Sequence, residues 1–221
     1  MTRAIFDKTL RELQDDTLIM GSMVEKAITR AVEALRSRDA SLSECVIHDD
    51  VAINAKRYEI EERCIHTIGL QQPVAADLRV VVAILFIATE LERIADHAEG
   101  IGRINLMLGD ELIAQPLGDI GEMADKACDM LRRSLTSFIA RDDGSARRIC
   151  DEDDVVDRMY DATYEALIAE LIRTPDDARR ITYLIWASHN LERIADRVTN
   201  ICERVIFMVT GELEEINVSR Y

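Results

Sequence analysis

Two acidic pairs with the same local sequence are the residues of this chain best suited to chemistry. Glu92 and Asp96 lie one helical turn apart in the segment LERIAD, and the same six residues recur 100 positions later with Glu192 and Asp196. Like charges at this spacing destabilise an isolated helix by about 0.2–0.5 kcal/mol. One such pair could simply face solvent beside a neighbouring arginine, but its repetition indicates a role that both copies share.

A second acidic segment precedes each pair. Asp50–Asn54 and Asp153–Asp157 align at an offset of 103 residues. Antiparallel helices place residues opposite each other when both are equally far from the turn between them. Positions 50 and 96, like 54 and 92, centre on Pro73, while 153 and 196, like 157 and 192, centre between Thr174 and Pro175. The spacing therefore predicts that each hairpin brings its two acidic segments to one level.

Carboxylates at one level need a cation, because two of them 4 Å apart cost about 4 kcal/mol at an effective dielectric constant of about 20. A bound metal ion is one interpretation, and oxygen-only ligands favour Mg²⁺, Mn²⁺ or iron over Zn²⁺. Neutralising arginines are the other interpretation, and the spacing alone does not separate the two. The arginines available are Arg79, Arg93, Arg179 and Arg193.

Histidine adds little to this set of ligands. None of the four histidines stands three residues after a glutamate, so the Glu-x-x-His signature of di-iron bundles is absent. We expect these histidines to be surface or capping residues. His97 and His189 lie near the acidic segments in sequence and could serve only as minor ligands.

The elements that position the acidic residues are predicted to be helices throughout. With 3 prolines and 9 glycines in 221 residues, the chain has too few turn residues for an all-β fold. Apolar residues recur at steps of three and four along both LERIAD segments, as in long antiparallel bundles. The predicted fold is all-α, with two tandem homologous three-helix bundles built from six long antiparallel helices. The two stripes comprise Ile84, Ile87, Leu91, Ile94, Ala98 and Ile101, and Leu184, Ala187, Leu191, Ile194, Val198, Ile201, Val205 and Met208.

Turn residues set the predicted boundaries. The first repeat is assigned to residues 1–109, a linker to 110–118, the second repeat to 119–211 and a tail to 212–221. Ser41–Glu44 has the pattern of a capping box, which predicts the start of the second helix. Gly211 is predicted to end the last helix.

Composition and charge restrict the classes of function. The net charge of −15 disfavours nucleic acid and anionic membranes as partners. The longest apolar run, Val80–Ala88, is far shorter than the roughly 18 residues that span a bilayer. Five cysteines without a CxxC pair predict neither a disulfide framework nor a zinc site. We therefore expect a cytoplasmic protein that meets membranes only indirectly, through its partners.

Motifs of catalysis are missing from the sequence. It holds no Gly-rich phosphate loop, no GxSxG and no HExxH, so we expect no enzymatic activity. The alternative is a carboxylate-bridged metalloenzyme or phosphatase that acts at the ERxxD faces. Turnover of phosphoesters that Glu192→Gln abolishes would favour that alternative.

Taken together, these motifs resemble the PhoU family of phosphate-signalling regulators. Gln71–Arg79 with Leu91–His97, and Asn190–Asp196 with Asn200–Ile201, carry the resemblance, which extends from residue 6 to residue 211. The resemblance implies a non-enzymatic negative regulator of the phosphate regulon and of phosphate uptake. The implied partners are the ATPase subunit of the phosphate ABC transporter, a phosphate-sensing histidine kinase and a second copy of the chain in a homodimer.

The resemblance also implies metal ligands, since some PhoU proteins bind multinuclear iron clusters through E(D)xxxD motifs. Iron, or another hard divalent cation such as Mn²⁺ or Mg²⁺, is the expected metal. Asn54 stands where the motif has an acid and could be only a weak ligand, so we expect metal to fill the second half first. The implied ligands are Asp50, Glu92 and Asp96 in the first half and Asp153, Asp157, Glu192 and Asp196 in the second.

Overall fold

The computed structural model describes residues 3–109 and 119–216, and the elements in these ranges are helices. The predicted linker, 110–118, and the end of the predicted tail, 217–221, lie outside the described residues. The all-α prediction is confirmed. The helices are α1 (Arg3–Ser37), α2 (Ala40–Gln71), α3 (Ala76–Leu108), α4 (Ile120–Ala140), α5 (Asp143–Asp151), α6 (Asp153–Arg173) and α7 (Ala178–Thr210), with a 3₁₀ turn at Pro175–Asp177.

The predicted cap of α2 is wrong by two residues, while the predicted end of α7 is confirmed. The Asp39 side chain accepts a hydrogen bond from the backbone N–H of Leu42 at 2.9 Å, so Asp39 caps α2 and Ser41 lies inside the helix. Gly211 ends α7 in the left-handed conformation, with φ of 85°, which glycine adopts without steric cost.

The turn residues at 141–144 and 174–177 predict one helix between them, the fifth, but the structure divides it at Glu152 into the short α5 and the longer α6. The Glu152 carboxylate accepts hydrogen bonds from Lys126 and Arg133 of α4, with Arg133 Nη1 2.7 Å from Oε1. These partners hold the pKa of Glu152 down, at about 2. The break directs α5 against α7 and places Asp153 in the first turn of α6, where its side chain is buried.

The core lies along α3 and α7, which pack against each other in antiparallel orientation. Every residue of the two predicted apolar stripes is buried. Arg79 at the start of α3 donates to the carbonyl of Met208 at the end of α7, and Arg179 at the start of α7 donates to Met107 at the end of α3. Helices α1 and α2 pack on α3, helices α4, α5 and α6 pack on α7, and α1 contacts α4. The two repeats therefore share one continuous core.

The apolar stretch Val80–Ala88 packs against other helices of this chain. Helix α3 packs against α1, α2 and α7, and of this stretch only Phe86 remains exposed. The Arg204 guanidinium of α7 lies over the Phe86 ring, 4.6 Å from the ring centroid. The stretch thus gives no support to self-association, and the homodimer stays a prediction.

Polar contacts across the α3–α7 interface follow the sequence repeat. His97 Nδ1 lies 2.9 Å from Asn190 Oδ1, and Arg197 lies 3.6 Å from Glu90. Positions 97 and 197, like 90 and 190, correspond in the repeat, so one contact is the pseudo-symmetric counterpart of the other. These contacts lie on either side of Ile94 and Ile194, which places both LERIAD segments midway along the α3–α7 interface.

The corresponding glycines of α1 and α4 test this packing. A Cβ atom added to Gly21 would overlap Leu135 of α4, whereas nothing lies within 4 Å of a Cβ added to Gly121. Gly121 is the second residue of α4, so we expect Gly121→Ala to raise the free energy of unfolding by at most about 0.5 kcal/mol. Gly21→Ala has to displace the buried Leu135 side chain and should fall below the parent. Urea unfolding followed by circular dichroism measures both, and equal effects would contradict the described contact.

Candidate functional site

The second half brings its four predicted carboxylates together between α6 and α7. The Asp153 side chain is only 1% exposed, at the first turn of α6. Burial, followed by the charges of Asp157, Asp196 and Glu192, raises the pKa of Asp153 to about 8. Burial and the charge of Asp196 raise the pKa of Glu192 to about 7, and burial with Asp196 also raises that of Asp157. The predicted alignment about the Pro175 turn is confirmed, and we call these four residues the second acidic cluster.

The first half repeats this arrangement between α2 and α3 with less burial. Burial, and then the charges of Asp96, Glu99 and Glu92, raise the pKa of Asp50 to about 6. Burial also raises the pKa values of Glu92 and Asp96. Asn54 Nδ2 donates to Asp50 Oδ2 at 2.6 Å, so here the amide acts as a donor toward the carboxylate. We call Asp50, Glu92 and Asp96 the first acidic cluster.

Arginines neutralise part of each cluster, although not all of those expected. Arg193 forms an ion pair with Asp196. Arg57, which the sequence reasoning missed, lies with its Nε 3.7 Å from Glu92 Oε1. Arg57 follows Asn54 by three residues and therefore shares its helix face, a signal that was readable. Arg79 and Arg179 instead join the ends of α3 and α7.

Four further carboxylates also act on the clusters. Glu99 raises the pKa of Asp50 and Asp96, and Asp161 contributes to the raised pKa of Glu192 and Asp157. Glu90 contributes in the first half and Asp154 in the second. Glu99 and Asp161 each follow a predicted ligand by three or four residues on the same helix, which is a pattern readable from the sequence. Because each half gains two carboxylates, the second half keeps one more than the first.

The two nearby histidines have different environments. His97 points across the interface to Asn190, and burial lowers its pKa. His189 Nδ1 lies 3.4 Å from Glu192 Oε2 of the second acidic cluster, and the ring is 5.8 Å from that of Tyr160. His97 interacts with its neighbour Asp96 only through its charge, whereas His189 contacts a predicted ligand directly.

The donor chemistry of the clusters suits a hard cation, but the side chains are not arranged as ligands. Asp50 Oδ1 and Glu192 Oε2 are buried and accept no hydrogen bond. Within the described ranges, 3–109 and 119–216, no three His, Cys, Asp or Glu side chains are placed so that they could hold a metal ion. The helices bring the carboxylates to one level, and rotation of their side chains would still be needed to share a cation.

The model of the PhoU domain matches this chain twice, at residues 17–104 and 120–205. The chain belongs to the PhoU family. Both matches contain a LERIAD segment, so the internal repeat is a repeat of the PhoU domain. The predicted family and the predicted tandem architecture are confirmed.

PhoU proteins of known sequence and structure match nearly the whole chain. The phosphate-specific transport system accessory protein PhoU homolog of Clostridium acetobutylicum is 35% identical over 218 residues, which cover 98% of this chain and 100% of that protein. The Aquifex aeolicus homolog is 34% identical over 206 residues, which cover 93% of each chain. The crystal structure of the phosphate transport system regulatory protein PhoU from Streptococcus pneumoniae superposes with a TM-score of 0.88 at 32% identity, and covers 95% of this chain and 99% of that one.

Like the sequence, the described part of the chain shows no helix long and apolar enough to cross a membrane. The described start of the predicted tail packs against the second bundle. Arg147 of α5 binds Glu214 at 2.7 Å, and the Ile216 N–H donates to Glu203 of α7 at 2.9 Å.

The raised pKa of Asp153 predicts an unusual dependence of stability on pH in the metal-free protein. Its carboxyl ionises near pH 4 in the unfolded chain but only near pH 8 in the folded one, so folding takes up a proton between these values. The free energy of unfolding should therefore fall as pH rises from 5 to 8, and Asp153 alone contributes at most about 1.4 kcal/mol per unit to this slope. Asp153→Asn should reduce the slope, while the part that comes from the raised pKa values of Glu192 and Asp50 should remain.

Glu152→Gln provides the matched control. Ion pairs lower the pKa of Glu152 to about 2, so its contribution to stability is complete above pH 5 and is lost only in more acidic solution. This variant should be less stable by a constant amount from pH 5 to 8. Urea unfolding with a chelator present measures both variants, and a slope in Asp153→Asn as steep as that of the parent would contradict the described burial.

Proposed function

We propose that this chain is a non-enzymatic cytoplasmic regulator of phosphate homeostasis that restrains the phosphate regulon and phosphate uptake. The match of the PhoU domain to both repeats carries the proposal. Relatives that span nearly the whole chain are named accessory or regulatory proteins of phosphate transport. The acidic surface agrees with a role that does not involve nucleic acid.

The proposed partners are the ATPase subunit of the phosphate ABC transporter and a phosphate-sensing histidine kinase, which this chain would link. Contact with the membrane is then indirect, through these partners. A protein of two fused bundles suits such a linking role, because the rigid α3–α7 core holds the surfaces of the two repeats in a fixed relation. A homodimer remains part of the proposal on the family resemblance alone.

We further propose that the acidic clusters hold a hard cation, either multinuclear iron or a divalent ion such as Mn²⁺ or Mg²⁺. Asp153, Asp157, Glu192 and Asp196 would be the ligands in the second half, and Asp50, Glu92 and Asp96 in the first, with Asn54 as a weak ligand. A bound cation would neutralise carboxylates that α6 and α7 keep out of water. Buried carboxylate oxygens without a hydrogen bond, as in Asp50 and Glu192, support the proposal.

Removal of the gene tests the proposed regulation. In cells with ample phosphate, a reporter of the phosphate regulon should be silent with the gene present and expressed at its starvation level without it. Reintroducing the intact chain should restore silence. A deletion strain in which the reporter still responds to phosphate as in the parent would overturn the proposal.

Single ligand substitutions test the order of metal binding. The second acidic cluster has one more carboxylate than the first and no counterpart of Arg57, whose position corresponds to Tyr160. Asp196→Asn should therefore remove most of the metal from protein loaded at limiting iron or manganese, while Asp96→Asn should spare it. Elemental analysis after gel filtration gives the metal content. The reverse order would contradict the charge argument, and a metal-free parent would leave the arginines as the only neutralising groups.

A further inference from the structure

Helix α2 carries an apolar stripe on its solvent face. Val51, Tyr58 and Ile65 are 66%, 61% and 57% exposed, and they stand seven residues apart. Residues at this spacing lie on one line along a helix, as in the seam of a coiled coil. Leu70, which is 70% exposed, lies near the end of the stripe. From residue 51 to residue 70 the stripe is about 28 Å long at 1.5 Å per residue.

The repeat supplies an internal control, because α6 is the counterpart of α2 at the offset of 103. Buried positions correspond along both helices: Ile53 matches Val156 and Ile60 matches Thr163, and all four side chains are buried. On the solvent face, however, Val51 corresponds to Asp154 and Tyr58 to Asp161, while Ile65 corresponds to Ile168. The fold is therefore compatible with a charged surface at the first two positions, and the continuous line of three apolar residues is particular to α2.

The exposed charges beside the stripe are acidic. The three Lys and Arg side chains of α2 are partly buried, and Lys56 and Arg63 are paired with Asp16 of α1. Arg57 lies over the Tyr58 ring, 4.2 Å from its centroid, and is paired with Glu61. Glu59 and Glu62 are exposed beside Tyr58. On the side facing α3 lies the first acidic cluster. An apolar line with acidic flanks is complementary to an amphipathic helix with basic flanks.

We propose that the stripe Val51–Tyr58–Ile65 of α2 docks a basic amphipathic helix of a protein partner. This inference rests on the proposed function only in that the partner is one of the proteins through which the chain regulates phosphate uptake. A second copy of the chain fits the surface poorly, since its α2 would bring the same acidic side chains to the contact. An anionic membrane is disfavoured for the same reason.

A designed peptide tests the surface directly. The probe is a fluorescent 21-residue helix with Leu at the a and d heptad positions and Lys at the flanking e and g positions. The test variant is Val51→Asp with Tyr58→Asp, which gives α2 the residues of α6. Fluorescence anisotropy at 0.15 M salt should show at least tenfold weaker binding to this variant than to the parent. Attraction by charge alone predicts the opposite, because the variant is more acidic.

Three controls make the result decisive. A peptide of the same composition in scrambled order should bind the parent at least tenfold more weakly. Ile172→Asp, which puts an acid at a 76% exposed apolar position of α6 outside both acidic clusters, should leave the binding of the probe unchanged. Circular dichroism should show the parent helix content in every variant, because exposed positions tolerate substitution. Equal binding of the scrambled peptide, undiminished binding by the α2 variant, or light scattering that shows a dimer broken by that variant would each overturn the proposal.

The same variants separate this inference from the proposed function in cells. If deletion of the gene releases the reporter, the α2 variant should fail to restore silence at normal protein levels, while the α6 variant should restore it. Restoration by both variants would overturn the docking proposal and leave the regulatory function intact. A deletion without effect on the reporter would instead overturn the proposed function, and the peptide measurements would then decide the docking surface by themselves.

Discussion

Repulsion among carboxylates that the helices hold out of water is the constraint on which this account depends. Asp153 is buried beside three other acidic side chains, and burial, followed by their charges, raises its pKa to about 8. Protons, arginines or a cation must compensate. Arg193 compensates one carboxylate of the second acidic cluster, and Arg57 does so in the first. A hard cation would relieve the remaining repulsion. The protonation of each cluster therefore depends on whether a cation is bound.

Burial of apolar residues in the core offsets the free-energy cost of holding these carboxylates together. Helices α3 and α7 bury continuous apolar stripes against each other and against the outer helices, and this burial is the dominant favourable contribution to folding. The LERIAD segments lie midway along the interface of these two helices, and each supplies Leu, Ile and Ala to the core and Glu and Asp to a cluster. Each cluster includes residues of α3 or α7, so a change in its occupancy would act directly on the interface between the two repeats. Such coupling suits a regulatory protein.

Much of this arrangement could be predicted from the sequence because it depends on local geometry. Equal distances from Pro73 and from Pro175 were sufficient to align the acidic segments, since antiparallel helices joined by a short turn leave little freedom of register. The division between α5 and α6 was missed, because it depends on tertiary ion pairs of Glu152 with Lys126 and Arg133. Asp39 competed with Ser41 as the cap of α2, and both have suitable side chains. The role of α7 in covering α3 required knowledge of how the repeats pack.

Anomalous diffraction from crystals of manganese- or iron-loaded protein tests the central claim most directly. Data collected on both sides of the metal absorption edge locate each bound ion independently of the side chains. The account predicts a strong peak within coordination distance of Asp153, Glu192 and Asp196, and an equal or weaker peak beside Asp50, Glu92 and Asp96. Well-ordered crystals with no peak at either cluster, and with arginines spanning the carboxylates instead, would contradict it.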